Sequence, residues 1–435
     1  MSSIDKDFIA EINSMTDLST LVEESILLTR RGANYVANCP FHDEKTASFT
    51  VFTKSNTYMC FGCQSKGDAV QWMRSYHHLT FADAVKALAK RNGVEVKYVS
   101  SPGDIKNVVT DKDKKALARQ YAILEYARSI YQNGLNKAPI YKNYLLSERG
   151  FTEETINKFQ LGAVAKGIYP FVSIKYPLTE LLLESGLFAK DRTNENAYYD
   201  RFRYRVMIPI ENEHSKLIAF AGRTIGGESS GTSKYINSPD TNLFSKGKEL
   251  YALNHAKPFI RNEKTAVVVE GYFDVISLHQ YGEQRAVSTM GTALTQDQLR
   301  KIFRHADIVY FAYDADTGGQ RAAQANASLF LENMNDKKSA YFIFLPSGHD
   351  PDSFLRQEGL DAWNTILKQA LPLSTFLQHM VLNDLHIEIA EQKVIAVQRA
   401  RDFIQKIKNA QVFQSAVTSQ FAEKLQIDAS LLSEK

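Results

Sequence analysis

Two spacings of apolar positions alternate along the second half of the chain. From residue 264, three short continuous apolar runs recur, Ala266–Val269, Ile308–Tyr313 and Tyr341–Leu345. Runs of that length suit strands buried on both faces of a parallel sheet. Segments with helical spacing separate them, at Phe273–Tyr281, Gln296–Arg304 and Gly319–Glu332. The alternation predicts a parallel sheet flanked by helices. From Pro372 to Lys435 the pattern is helical, with no strand signal.

The first half reads differently. Residues 1–98 form one small unit, with helices near Asp5–Met15, Asp68–Tyr76 and Thr80–Asn92 and alternating segments at Asn34–Asn38 and Ser48–Thr53. Thr80 precedes an apolar pattern at helical spacing, and Asn92-Gly93 stops it. Residues 99–115 are polar and rich in Ser, Pro, Gly and Lys, a linker composition. A helix then spans Ala116–Tyr131, and Arg203–Ile210 and Lys216–Ala221 read as two strands around a turn. The predicted organisation is multidomain α/β: a small N-terminal domain (1–98), a linker (99–115), a part of mixed short elements (116–262), the parallel-sheet part (263–350) and a mainly helical end (351–435).

The length suits two to four domains at roughly 100–200 residues each. A composition 44% apolar and 23% charged excludes whole-chain disorder. No apolar run approaches the ~20 residues that span a bilayer, and the N-terminus has neither the basic nor the apolar region of a secretory signal. The expected compartment is the cytoplasm, with no membrane contact. A net charge of +3 implies no nucleic-acid partner by itself, so any such case rests on where the cations sit.

The three cysteines all precede residue 64. Cys39-Pro-Phe-His42 and Cys60-Phe-Gly-Cys63 are two knuckles, each with two residues between ligands. That spacing is what a closed tetrahedral zinc site needs, and a small unit with few large apolar residues gains a metal staple. His77 and His78 are rival fourth ligands, but they lie off any knuckle. Tyr35, Phe49, Phe52, Tyr58 and Phe61 surround the site, with Lys54 and Lys66 among them. Aromatics interleaved with lysines can stack on unpaired bases and hold phosphates.

A second cluster is acidic. Glu270 follows the first apolar run, Asp314 and Asp316 follow the second, and Asp350-Pro351-Asp352 follows the third. Open α/β sheets place their ligand sites at the carboxyl ends of the strands. Five carboxylates on one such edge require cations, and hard ions with oxygen ligands, Mg²⁺ or Mn²⁺, fit. Such ions orient a triphosphate in phosphoryl or nucleotidyl transfer.

Together these motifs match a known family. CPFHDEKTASF…YMCFGC resembles the CHC2 zinc ribbon of bacterial DnaG-type replicative primases. YDRFRYRVMIPI, AFAGRTIG, KYINSPDTNLFSKGKELYAL, VVVEGYFDVISLHQYG, STMGTALT, FAYDADTGGQRAA and FLPSGHDPDSFL look like successive blocks of that family's RNA polymerase domain. The resemblance implies a zinc ribbon followed by a two-part catalytic domain whose second part is a TOPRIM fold. It implies a DNA primase, a nucleotidyltransferase making short RNA primers from NTPs on a single-stranded DNA template, active as a monomer. It carries one structural Zn²⁺ onto Cys39, His42, Cys60 and Cys63. It carries two catalytic Mg²⁺ or Mn²⁺ ions onto Glu270, Asp314 and Asp316, with Asp350 and Asp352 as further metal-site acids. It gives Arg201, Arg205, Arg223, Lys234 and Lys246 as cations lining the template and nucleotide cleft.

There are departures. Ala47 stands where the family often has Pro, and Ala315 where it usually has Gly. The family's C-terminal domain that docks on the replicative helicase is not seen in this sequence, which leaves helicase partnership open. Two other readings are a TOPRIM nuclease or topoisomerase, and a non-catalytic single-strand-binding relative. The first lacks the required tyrosine-bearing strand-passage domain, and the five intact acids oppose the second.

Overall fold

The computed structural model describes residues 3–433 apart from 5, 43, 45, 78, 80, 95, 97, 100–110, 192–196, 226–232, 292 and 315. His78, Thr80, Ala315 and the centre of the expected linker therefore lie outside the described residues. The chain forms two compact units, Met1–Thr110 and Asp111–Lys435.

In the first unit, Thr29–Arg31, Asn34–Ala37, Phe49–Phe52, Thr57–Cys60 and Lys66–Gly67 form an antiparallel sheet in chain order. Phe49, Val51 and Tyr58 alternate inward, as period-2 geometry requires. Helices Lys6–Met15, Ala69–Ser75 and Phe81–Arg91 accompany the sheet, with Asp68 capping the second through the Gln71 N–H. Phe49 and Tyr58 pack on Trp72, each with ring centroids 5.7 Å away.

The second unit starts with a helix longer than its apolar pattern suggests, Asp111–Lys137 rather than Ala116–Tyr131. Its first turn is too charged to show periodicity. Arg205–Glu211 and Leu217–Arg223 pair antiparallel, flanked by Gly162–Val164 and Tyr235–Asn237.

A second sheet has the order Ala286–Ser288, Thr265–Val269, Ile308–Tyr313, Ser339–Phe344, Leu371–Pro372. The first four strands are parallel and the last is antiparallel. Its interior strands read as unbroken apolar runs because both faces are covered. Ala266 and Val268 enter one core, with Phe311, Phe330 and Phe376. Val267 and Val269 enter the other, with Phe273, Phe354 and Trp363. The Leu371–Pro372 strand corrects the all-helical reading of the tail; two residues are too few to show a period. Leu373–Leu382, Ala390–Ile404 and Gln411–Leu425 are helices, as their spacing predicts. No helix among the described residues is long and apolar enough to cross a membrane.

Candidate catalytic edge and metal centre

In the first unit, one donor atom from each of Cys39, His42, Cys60 and Cys63 lies within 4.8 Å of the others. The Sγ atoms of Cys39 and Cys63 are 3.7 Å apart, and His42 Nδ1 is 3.8 Å from Cys60 Sγ. The knuckles aim backbone N–H groups at sulfur. Phe41 donates to Cys39 at 3.4 Å, and Gly62 and Cys63 donate to Cys60 at 3.3 Å. A Cβ on Gly62 would sit 2.6 Å from His42 Nε2, so only glycine lets the ring lie there. Three thiols and an imidazole with amide-capped sulfurs fit zinc. His77 instead lies beside the Ser25 hydroxyl, at 3.5 Å.

Sequence reading missed Glu44. Its carboxylate faces His42 Nε2 at 3.3 Å and accepts from the Cys39 N–H at 2.7 Å and the Ser48 N–H at 3.0 Å. It ties both ends of the loop and orients the imidazole, as carboxylates behind metal-bound histidines do. The available signal was an acid two residues after the predicted ligand.

The surrounding aromatics divide. Phe49 and Tyr58 are core. Phe61 is 62% exposed and meets Phe52 edge-on at 6.5 Å. Lys54 and Lys66 are exposed.

In the second unit, Glu270 ends the Thr265–Val269 strand, and Asp314 leaves the end of Ile308–Tyr313. Asp316 caps the helix Thr317–Asn333 by accepting from the Gly319 N–H at 2.7 Å. A Cβ on Gly319 would stand 2.2 Å from the Asp314 carbonyl oxygen, so glycine brings the helix start against the strand end. Asp350 caps Pro351–Lys368, accepting from the Ser353 N–H at 2.7 Å.

These acids feel one another. Burial, then the charges of Asp350 and Asp316, raise Asp314 to about 6. Desolvation and the charges of Asp314 and Asp316 raise Glu270. Asp350 is held low: burial pushes it up, but hydrogen bonds from Ser353 and the charges of Arg149 and Arg356 prevail. Repulsion of this kind is what a divalent cation relieves, while among the described residues only the Cys/His cluster already brings its donor atoms within 4.8 Å of one another.

Asp274 is a sixth acid that sequence reading missed. It sits in the first turn of Tyr272–Gln280 and accepts from the Gly271 N–H at 3.0 Å. Burial, with Asp350, Asp314 and Asp352 nearby, raises it to about 8. The motif places it four residues after Glu270, at the third position of the helix that Gly271 opens.

Two expectations need correction. Asp352 is 0% exposed. Its carboxylate pairs with Arg149 and lies 3.2 Å from Arg356 Nε. Two guanidiniums lie against it, yet burial still raises its pKa, so its counter-charges in this structure are Arg149 and Arg356. Arg205 is likewise buried, and it donates to the backbone carbonyls of Gly222 (3.1 Å) and Lys234 (3.3 Å). It braces adjacent strands and has no face for a template phosphate.

The other cations differ in setting. Arg201 and Lys234 are exposed, and Lys246 is half-buried. Arg201 Nε donates to the Phe188 carbonyl at 3.3 Å. Arg223 is enclosed by the rings of Phe273 (4.7 Å) and Tyr235 (4.9 Å), and it donates to the Tyr235 hydroxyl.

Comparison with known proteins agrees with this architecture. A family described as CHC2 zinc finger matches residues 4–102. The DNA primase catalytic core, N-terminal domain, matches 130–257, and a Toprim-like family matches 267–355. A DNA primase of Neisseria meningitidis serogroup A is 35% identical over 407 residues, 93% of this chain and 68% of that protein. The Escherichia coli K12 DNA primase is 35% identical over 379 residues, 86% of this chain and 63% of that protein. The zinc-binding and RNA polymerase domains of the Aquifex aeolicus primase align over 99% of both chains, with TM-score 0.62 and 30% identity. A DnaG primase catalytic domain bound to ssDNA aligns over 73% of this chain and 99% of that one, with TM-score 0.66 and 31% identity. With an acidic sheet edge and a Cys/His cluster in family order, the chain belongs to the DnaG-type DNA primases.

Proposed function

We propose that the sheet edge joins ribonucleotides on a single-stranded DNA template. The 3′-hydroxyl oxygen of one nucleotide bonds to the α-phosphorus of an incoming NTP. The bond from that phosphorus to the bridging oxygen breaks, pyrophosphate leaves with the electron pair, and the hydroxyl proton passes to solvent. Glu270, Asp314, Asp316 and Asp350 hold two Mg²⁺ or Mn²⁺ ions. Bound there, the ions supply charge for the attacking and leaving oxygens. Lys234 and Lys246 face the triphosphate, and Arg223 lines the cleft behind them. In the ribbon, Cys39, His42, Cys60 and Cys63 hold one structural Zn²⁺. Phe61, Lys54 and Lys66 engage unpaired template, and Arg201 contributes a phosphate contact from the catalytic unit. Domains follow the same plan, ribbon 1–98, connecting segment from 99, core to 262, TOPRIM 263–350 and helical end 351–435, with the core's first helix drawing its start forward from 116 to Asp111.

The observation that carries this reading is the mutual charge of Glu270, Asp314 and Asp316 at the ends of adjacent parallel strands. The test is incubation of the full chain with single-stranded DNA, NTPs and Mg²⁺ or Mn²⁺. Short RNA products that require the divalent ion support it. Their absence with both metals overturns it.

A further inference from the structure

A groove of about 980 Å³ lies on the far side of the sheet's last strands. Its floor is Phe344 and Phe376, with ring centroids 5.6 Å apart. Phe344 pairs in register with Tyr313, the residue before Asp314. One wall starts at Gln320, whose N–H donates to the Asp316 carbonyl at 3.1 Å. The groove therefore opens within one helical turn of the proposed metal-binding edge.

A cleft of about 540 Å³ continues it, sharing Gln324, Met380 and Arg399. Across both, the charged walls are Arg321, Arg399, Lys406 and Lys424 against Asp384 and Asp402. Asp384 is already paired with Arg399, at 3.0 Å. The surplus is cationic, the floor aromatic, and the intervening polar groups are amides such as Gln320 and Gln324. Cations hold phosphates, rings stack on bases, and amides both donate and accept, so any base is tolerated.

Position selects the strand. The segments bearing Lys234 and Lys246 lie beside the Ala286–Ser288 side of the sheet. Asn237 donates to the Met290 carbonyl at 3.0 Å, and the Lys246 carbonyl accepts from Gln298 at 3.0 Å. The groove lies beyond Ser339–Phe344, across the sheet from them. An in-line displacement places the attacking and leaving oxygens on opposite sides of phosphorus. With pyrophosphate leaving toward the lysines, the strand carrying the 3′-hydroxyl arrives from the groove side.

We propose that this groove binds the growing RNA, upstream of its 3′ end. The inference rests on the transfer reading above, and the assay separates the two. Dinucleotide formation needs no upstream RNA; longer products do. In Arg321→Glu/Lys424→Glu, dinucleotides should stay within about twofold, while longer products fall at least ~10-fold through lost phosphate contacts. Unchanged longer products overturn the inference and leave the transfer reading standing. No dinucleotide from the wild-type chain overturns both. A second measurement avoids dependence on the variant's folding: template-annealed RNA carrying 4-thiouridine three residues from its 3′ end, cross-linked to the wild-type chain. Adducts in peptides containing Gln324 or Met380 support the groove. Adducts confined to the Lys234–Lys246 segment overturn it.

Discussion

Arg149 and Asp352, 203 positions apart, form a buried ion pair. Arg149 follows the π-helical turn Tyr144–Glu148, and its guanidinium lies over the Phe273 ring at 5.1 Å. Asp352 reaches it from the first turn of the Pro351–Lys368 helix. The pair fastens the segment before the antiparallel sheet to the TOPRIM part. It also divides the Asp-Pro-Asp motif: Asp350 stays at the edge, and Asp352 anchors the helix that holds it there.

Removing Arg149 strips Asp352 of one of its two guanidiniums and leaves only Arg356, 3.2 Å away, beside a fully buried carboxylate. Arg149→Ala should destabilise the catalytic unit by about 3–5 kcal/mol. Asp350→Ala, which loses a helix cap, should cost about 1 kcal/mol. Denaturant unfolding of both variants checks the order. Equal effects would contradict the division of labour.

The sheet was legible because burial on both faces erases polar positions from its strands, as in Thr265–Val269. The acids were legible because each follows such a run. Asp274 was not, since it lies inside a helix whose apolar spacing accounts for its neighbours. Arg205 and Asp352 misled for a related reason. A charged residue beside a site motif looks solvent-facing until a partner distant in sequence appears: the Gly222 and Lys234 carbonyls for one, Arg149 for the other. Single aromatics were ambiguous because strand parity, set only by the register, decides which are core.

Asp314 should couple metal binding to pH. Its folded pKa is raised from 3.8 to about 6 by burial and by Asp350 and Asp316. In metal-free protein that contribution favours folding below about pH 4 and is lost as pH rises through about 6. A divalent ion binds the ionised form, so its affinity should rise across the same window. Asp314→Asn should flatten both trends and slow primer synthesis by ~10²–10⁴. Thermal shift with and without Mn²⁺ from pH 5 to 8, alongside a synthesis assay, checks this. A metal affinity flat across that range would refute the coupling.

Zinc should be a folding requirement for the first unit alone. Cys60 accepts hydrogen bonds from two backbone amides and lies 3.1 Å from the Ser48 hydroxyl. Cys60→Ser should abolish zinc in elemental analysis and unfold residues 1–110, while the 111–435 transition keeps its midpoint. A single shared transition that moves as a whole would contradict this.

Phe49 and Phe61 neighbour Cys60 in different ways, Phe49 across the sheet and Phe61 next in the chain. Phe49 is directly paired with Cys60 across the sheet, fully buried, and stacked on Tyr58 at 5.2 Å. Phe61 follows Cys60 and turns outward beside Phe52. Phe49→Ala opens a cavity in the small core and should cost about 3–5 kcal/mol of stability. Phe61→Ala removes a mostly exposed ring, so zinc content and melting should hold. If Phe61 stacks on an unpaired base, its loss should weaken single-stranded DNA binding by ~1–3 kcal/mol. The salt dependence should survive, because Lys54 and Lys66 remain to hold phosphates. Titration of a fluorescent oligonucleotide at two salt concentrations separates the contributions. Unchanged affinity in Phe61→Ala would remove this face from the template path, whereas a shallower salt slope would show that the substitution disturbed the lysines.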